Sequence, residues 1–304
     1  MAKIIIPSRL GNNFASGINA FYSILDQINN VAPEEPLIFD FSNCYFLGPF
    51  FLLPLKLLLE REAQYRQVTI IPPDSNSNFG NYYGIIRYPE GLYHENELAE
   101  NLNTFRFKTY TPIVCFPASR LGNEPQLRDS CLTIVNSILK HQTGLSGGML
   151  TGLMYLIDEA VNNIVDHSDS LRGYLFAQYY PSKSYLDLCI ADNGLGILKN
   201  YLRSGYTIYH SDKEALVAAI SGVSTKNRPE AEGRGFGIQT SKKMLVDGLK
   251  GKYFLQTGRA IAFKTIDNEQ VVEIPEPLGF QGTFLALRIP NIGNNNFDPS
   301  DYYS

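Results

Sequence analysis

Four short blocks in the second half of the chain carry residues able to do chemistry together: Glu159-Ala-Val-Asn-Asn163, Asp192-Asn-Gly-Leu-Gly-Ile197, Gly233-Arg-Gly-Phe-Gly237 and Gly282-Thr283. Glu159 is a carboxylate that can polarise a water. Asn163, four residues on, offers a hard amide oxygen of the kind Mg²⁺ takes beside phosphate oxygens. Asp192 can accept a hydrogen bond from the exocyclic amine of adenine, where guanine carries a carbonyl. Gly194 and Gly196 let the backbone turn closely past a base. Gly233, Gly235 and Gly237 lead into a helix, so their N–H groups and the positive helix end suit a triphosphate. Taken singly, each block has a plainer reading as a turn, a solvated charge or a capping amide. In this order and spacing they read as one nucleotide pocket.

Two other nucleotide signatures are disfavoured. No Gly-x-x-x-x-Gly-Lys-Ser/Thr occurs, and the Gly-x-Gly-x-Gly of the third block does not follow a strand as a Rossmann fingerprint does. The segment before that block ends in Ser224, Thr225 and Lys226, which add hydroxyls and a cation. Residues 226–252 hold seven Lys or Arg against three Asp or Glu, a local excess that suits an anionic ligand and equally a solvated surface.

The blocks resemble the N, G1, G2 and G3 boxes of the GHKL superfamily, which joins gyrase, the large heat-shock chaperones, histidine kinases and mismatch-repair ATPases. Glu159 to Ser168 is similar to the Glu-x-x-x-Asn-x-x-x-His stretch of sensor-kinase and anti-sigma-factor ATPase domains. The resemblance implies the two-layer α/β sandwich of the Bergerat nucleotide fold over residues 101–293. It implies ATP and Mg²⁺ as cofactors, with Asn163 as the metal ligand and Glu159 as the base of hydrolytic members. It further implies contacts to nucleotide from Asp192, Gly194, Gly196, Gly233, Arg234, Gly235, Phe236, Gly237 and Thr283, with a lid between the second and third boxes. Asp166 departs from the pattern, since sensor kinases often place Lys or Arg there, and an inward Asp166 would repel phosphate. His167 beside it suits either a place near the nucleotide or a helix C-terminal role.

A histidine kinase also needs a phosphoacceptor His on a long dimerising hairpin. His141 is the one helical His upstream, and its helix leads almost directly into the first block. The resemblance therefore implies a cytosolic Mg-ATP-binding regulator akin to anti-sigma-factor kinases. Such a protein hydrolyses ATP slowly or phosphorylates Ser or Thr on a regulatory protein partner, exchanging ATP for ADP. The alternative is a nucleotide-gated interaction module without turnover. A homodimer is compatible with either.

The elements that must hold these residues follow from periodicity. Apolar residues from Leu150 to Val165 form a core stripe on a helix over about 148–167, and Glu159, Asn163 and Asp166 share another face. A helix is expected over 125–141. Strands are expected over 112–117, 174–180, 185–191, 252–257, 260–267 and 283–288, with a helix over 238–249.

Upstream, strand and helix alternate: a helix over 16–30, a strand from Pro36, a helix over 49–64 and a strand over 68–71. Asp40-Phe-Ser42 and the loop Phe46-Leu-Gly-Pro-Phe50 make residues 1–100 similar to STAS domains. Phosphorylated STAS members carry Ser or Thr in that loop, and Gly48, Pro49 and Phe50 stand there instead. Residues 74–104, rich in Asn, Ser, Gly and Tyr, are expected to be irregular, and residues 294–304 to form a polar tail.

Composition bounds the rest. A net charge of −4 supplies no field for nucleic acid or an anionic membrane. Cys44, Cys115, Cys131 and Cys189 are widely spaced, which fits reduced thiols in the cytoplasm better than a zinc site or a disulfide framework. The N-terminal apolar run is too short for a signal peptide. The stretch from Tyr45 to Leu59, broken by Gly48, Pro49, Pro54 and Lys56, falls short of the roughly 20 apolar residues that span a bilayer and reads as a buried helix.

Overall fold

Every position from Pro49 to Leu59 is buried, a pattern that a helix with one solvent face does not show. The reason is that this helix lies between two sheets. The computed structural model describes residues 1–10, 14–93, 95–223, 237–290 and 297–302. Its first sheet is parallel, ordered β1 (Ala2–Ile5), β2 (Leu37–Asp40) and β3 (Val68–Ile71), with α1 (Phe14–Asn29) and α2 (Pro49–Glu62) as the crossovers.

After β3 come α3 (Asn78–Ile85) and α4 (Glu95–Arg106), where the composition predicts irregular chain. Intrinsic propensity is poor in α3, where packing overrides it, whereas α4 carries good helix formers in Glu97, Leu98, Ala99 and Glu100. The Ser77 hydroxyl caps α3 by accepting from Gly80 N–H at 2.8 Å, Tyr83 packs against Phe41 and Tyr88, and Phe79 packs against Tyr83. On α4, Leu98 and Phe105 are buried one heptad apart. Residue 100 lies inside α4.

The second sheet is antiparallel and seven-stranded. Its strands are β4 (Val114–Pro117), β5 (Arg172–Tyr180), β6 (Tyr185–Asp192), β7 (Lys252–Gly258), β8 (Ala260–Lys264), β9 (Glu269–Glu273) and β10 (Phe280–Pro290). Their spatial order is β4-β5-β6-β10-β7-β8-β9. Helices α5 (Glu124–Thr143) and α6 (Gly147–His167) precede β5. Between β6 and β7 run α7 (Gly196–Arg203), α8 (Asp212–Ile220) and α9 (Gly237–Lys243), the last continuing as a π-helical turn over Met244–Gly248.

Alternation along the strands sorts side chains to the two faces of this sheet. Leu186, Leu188 and Ile190 of β6 pack with α5 and α6 in one core, together with Leu175, Leu255 and Leu287. Cys189 and Ala191 face the other way, with Tyr174, Phe176, Phe254 and Phe284. That second core also contains Ile4, Leu37 and Phe39 of the small sheet and the apolar residues of α1 and α2, so the N-terminal unit covers the far face of the large sheet. The architecture is thus mixed α/β, with helices on both faces of the large sheet.

Buried polar links tie the two parts. Lys56 of α2 has no exposed side-chain surface. Its Nζ donates to Glu60 Oε1 at 2.6 Å and lies 4.7 Å from the centroid of the Tyr174 ring on β5. Tyr22 OH donates to Gln256 Oε1 at 2.9 Å. The four cysteines are free and buried. Among the described residues no helix is long and apolar enough to cross a membrane.

Candidate functional site

Asp192 ends β6 and is 1% exposed. Its Oδ1 accepts the Gly194 N–H at 2.8 Å, and the backbone N–H of Thr283 also donates to the carboxylate. Burial outweighs both donors and raises the carboxyl to about 7. Thr283 is the register partner of Asp192 across β6 and β10.

Glycines let four chain segments close around this point. A β-carbon on Gly194 would overlap the Ser168 carbonyl oxygen, which itself accepts the Leu195 N–H at 2.8 Å. Gly282 adopts φ +89°, and a β-carbon there would overlap the Asp192 carbonyl. Gly196, at φ +74°, opens α7 against Thr257, whose Oγ1 accepts the Ile197 N–H at 2.9 Å. The left-handed region is open to glycine at no steric cost, and both positions require it.

The end of α6 is stitched to the same loop. Ser170 Oγ donates to Asn193 Oδ1 at 2.9 Å, His167 Nδ1 lies 3.4 Å from Asn200 Nδ2, and Arg203 pairs with Asp169 at 2.5 Å. Glu159 and Asn163 are half-buried, one turn apart on α6. A β-carbon on Gly237 would overlap Glu159 Oε2, so the carboxylate lies against the first residue of α9. Asp166 forms an ion pair with Arg120, which compensates the charge that the sequence marks as a departure.

The structure therefore brings Asp192, Gly194, Gly196 and Thr283 together at one end of the large sheet, and sets Glu159 against Gly237. Ser224, Thr225, Lys226, Gly233, Arg234, Gly235 and Phe236 lie outside the described residues. Among the described residues no group of three or more His, Cys, Asp or Glu converges as a metal cage.

Two residues of this region escape sequence reasoning. Thr257 is fully buried and holds the Gly196 turn, yet in sequence it is an ordinary β-former at a strand end. Asp212 accepts the Arg259 N–H at 2.9 Å and occupies the space beside Gly258, docking α8 on the β7–β8 turn. Its local signal was legible: Ser211 accepts from Glu214 N–H at 3.1 Å and Glu214 Oε2 accepts from His210 N–H at 2.7 Å, a box-like helix start.

Comparison with protein-family models, with curated proteins and with solved structures finds no match. The chemistry must be argued from the residues.

A second polar cluster lies on the opposite face of the sheet. Arg288 Nε and Nη2 donate to Asp187 Oδ1 and Oδ2 at 2.7 and 2.8 Å, and its guanidinium lies 4.1 Å from the Tyr185 ring centroid and 5.5 Å from that of Phe50. Burial pushes the Asp187 carboxyl up to about 6, against the opposing pull of Arg288. A cavity of about 20 Å³ beside the pair is lined by Gly48, Pro49, Phe50 and Tyr180. That is room for about one water, not for a nucleotide.

Proposed function

We propose that this chain binds Mg-ATP at the Asp192 end of the large sheet and couples nucleotide state to a regulatory protein partner, in the manner of GHKL-type anti-sigma-factor kinases or slow ATPases. The observation that carries the reading is the Asp192–Thr283 pair. An acid buried at a strand end, with glycines at 194, 196 and 282 letting backbone segments close around it, carries an acceptor suited to the amine edge of a base. The carboxylate also holds the loop through the Gly194 and Thr283 N–H groups, and ligand recognition would add to that structural task.

The other residues fit the same ligand. Gly237 opens a helical segment beside the Glu159 carboxylate, so a phosphate chain leaving the Asp192 end along α6 meets backbone N–H groups and a candidate base. Asn163 supplies one amide oxygen on that face. Mg²⁺ bound with nucleotide takes few protein ligands and relies on phosphate and water oxygens, so one such donor is adequate. When bound, the metal would screen phosphate charge. In this reading Asp192 selects the base, Gly194 and Gly196 shape the tight loop beside it, Asn163 orients the metal, and Glu159 holds a water or the acceptor hydroxyl.

The N-terminal unit fits a STAS-like βαβαβ arrangement, and Gly48-Pro49-Phe50 faces the Asp187–Arg288 pair instead of offering a hydroxyl to phosphorylate. Transfer to that loop is therefore not part of the reading. Incubation with γ-labelled ATP tests the use of the nucleotide. Free phosphate indicates an ATPase, labelled partner a kinase, and binding with neither product a nucleotide-gated switch.

A further inference from the structure

Gly148, Gly152, Glu159 and Asn163 recur on α6 at intervals of four, seven and four residues, which places them along one face of the helix. The Asn163–Glu159 end of that face belongs to the candidate site. The Gly148–Gly152 end is filled by the C-terminal segment, where the sequence predicts a polar tail. Phe297 is 9% exposed and part of the core that α5 and α6 form with the large sheet, and Pro299–Tyr302 forms a 3₁₀ turn beyond it.

The fit depends on glycine at three positions. A β-carbon on Gly148 would overlap the Phe297 carbonyl oxygen, and one on Gly152 would lie 2.8 Å from Phe297 Cε1 and 3.7 Å from Met244 Sδ. A β-carbon on Gly248 would lie 2.8 Å from Phe297 Cε2 and 2.7 Å from Tyr302 Cζ. The Phe297 ring is thus held between α6 and the end of the π-helical turn, with the Tyr302 ring stacked 5.7 Å away at 18°. That turn continues α9 without interruption, and the first residue of α9 is Gly237. One helical segment therefore leans on α6 at both ends, on Phe297 at Gly248 and on Glu159 at Gly237.

We propose that Phe297–Tyr302 is a wedge that sets the spacing and tilt of the α9 segment on α6, making Phe297 a positioning residue for the Glu159–Gly237 contact. Its relevance to ATP rests on the nucleotide reading of that contact; its mechanical role does not. Without the ring, the far end of the segment settles toward Gly152, and its near end shifts relative to Glu159. A segment hinged on a π-helical turn is suited to such movement, because that turn already departs from regular helical hydrogen bonding.

The test compares full-length wild type, Phe297→Ala and the double variant Gly152→Ala/Phe297→Ala by hydrogen exchange and by Mg-ATP titration. Phe297→Ala should speed amide exchange over residues 237–243 by about tenfold while β5, β6 and β10 keep wild-type protection. It should also weaken ATP binding by about fivefold. The double variant, in which a methyl on residue 152 refills part of the space, should recover part of both effects. Unchanged exchange in α9 would overturn the proposal, as would a rise spread evenly over the sheet, which would make the ring a general stability element. If Phe297→Ala does not fold, Tyr302→Ala removes only the stacked ring and carries the same expectations. If wild type fails to bind ATP, the nucleotide reading falls, and exchange in α9 still decides the wedge.

Discussion

Asp192 and Thr283 sit opposite each other on β6 and β10, and the Thr283 N–H donates to a carboxylate whose burial raises it to about 7. In the unfolded chain an aspartate titrates near 4. The native state thus holds this proton more tightly, and the stability it contributes is complete below about pH 4 and lost as pH rises through about 7. Binding of an amine donor works in the opposite sense, since the ionised acceptor makes the stronger hydrogen bond.

Affinity for ATP should accordingly rise between about pH 5.5 and 8 and level off above the Asp192 titration. The γ-phosphate of ATP titrates in the same range, so the comparison is with Asp192→Asn. That variant should bind about tenfold more weakly at pH 8 and lose the part of the pH dependence that belongs to the carboxyl. Parallel profiles from calorimetric titration of the two proteins would count against this role.

Gly282→Ala brings two costs, a residue at φ +89° and a β-carbon against the Asp192 carbonyl. Destabilisation of about 1–3 kcal/mol is expected in urea unfolding. Loss of ATP binding should exceed what that instability explains, because the Asp192 loop must shift.

Glu159→Gln keeps the shape of the side chain and removes its basicity. ATP affinity should stay within about threefold of wild type while phosphate release, or transfer to a partner, falls by about 10²-fold or more. Equal loss of binding and turnover would assign Glu159 to ligand binding instead.

Arg288→Ala leaves Asp187 buried without its counter-charge, with an expected cost of about 3–5 kcal/mol. Burial already raises Asp187 to about 6, and removing the guanidinium raises it further. The variant should therefore recover stability as pH falls and Asp187 takes up a proton, measurable as a smaller deficit in chemical denaturation near pH 5 than near pH 8.

Much of the local structure was legible in the residues. The apolar stripe of α6, the paired strands β5 and β6, and the helix opened by Pro49 all follow periodicity or turn chemistry. What escaped was set by partners distant in sequence. α3 is built largely from Asn, Gly and Tyr, and its packing comes from Tyr83 against Phe41 and Tyr88 and from Phe79 against Tyr83. β9 is a largely exposed edge strand whose residues, Glu269-Gln-Val-Val-Glu273, show little apolar alternation. Phe297 stands among Asn, Asp and Pro, and only the glycines at 148, 152 and 248 show where it goes. At the site, Asp192, Gly194 and Gly196 announced themselves by spacing, whereas Thr257 is recognised only by its bond to Ile197. The covering of the large sheet by α1 and α2 had no local signal beyond the apolar run of α2, which Pro54 and Lys56 interrupt.

The most direct test of the nucleotide reading is thermal unfolding of the full chain with Mg²⁺ and either ATP or GTP, beside Asp192→Ala. Binding to the native state alone should raise Tm with ATP concentration, by the free energy that mass action gives, about 2.7 kcal/mol at a hundredfold excess over Kd. GTP should give little or no rise, and Asp192→Ala should remove the ATP effect. An unchanged Tm at millimolar ATP, or an equal rise in the Asp192→Ala variant, would contradict the account.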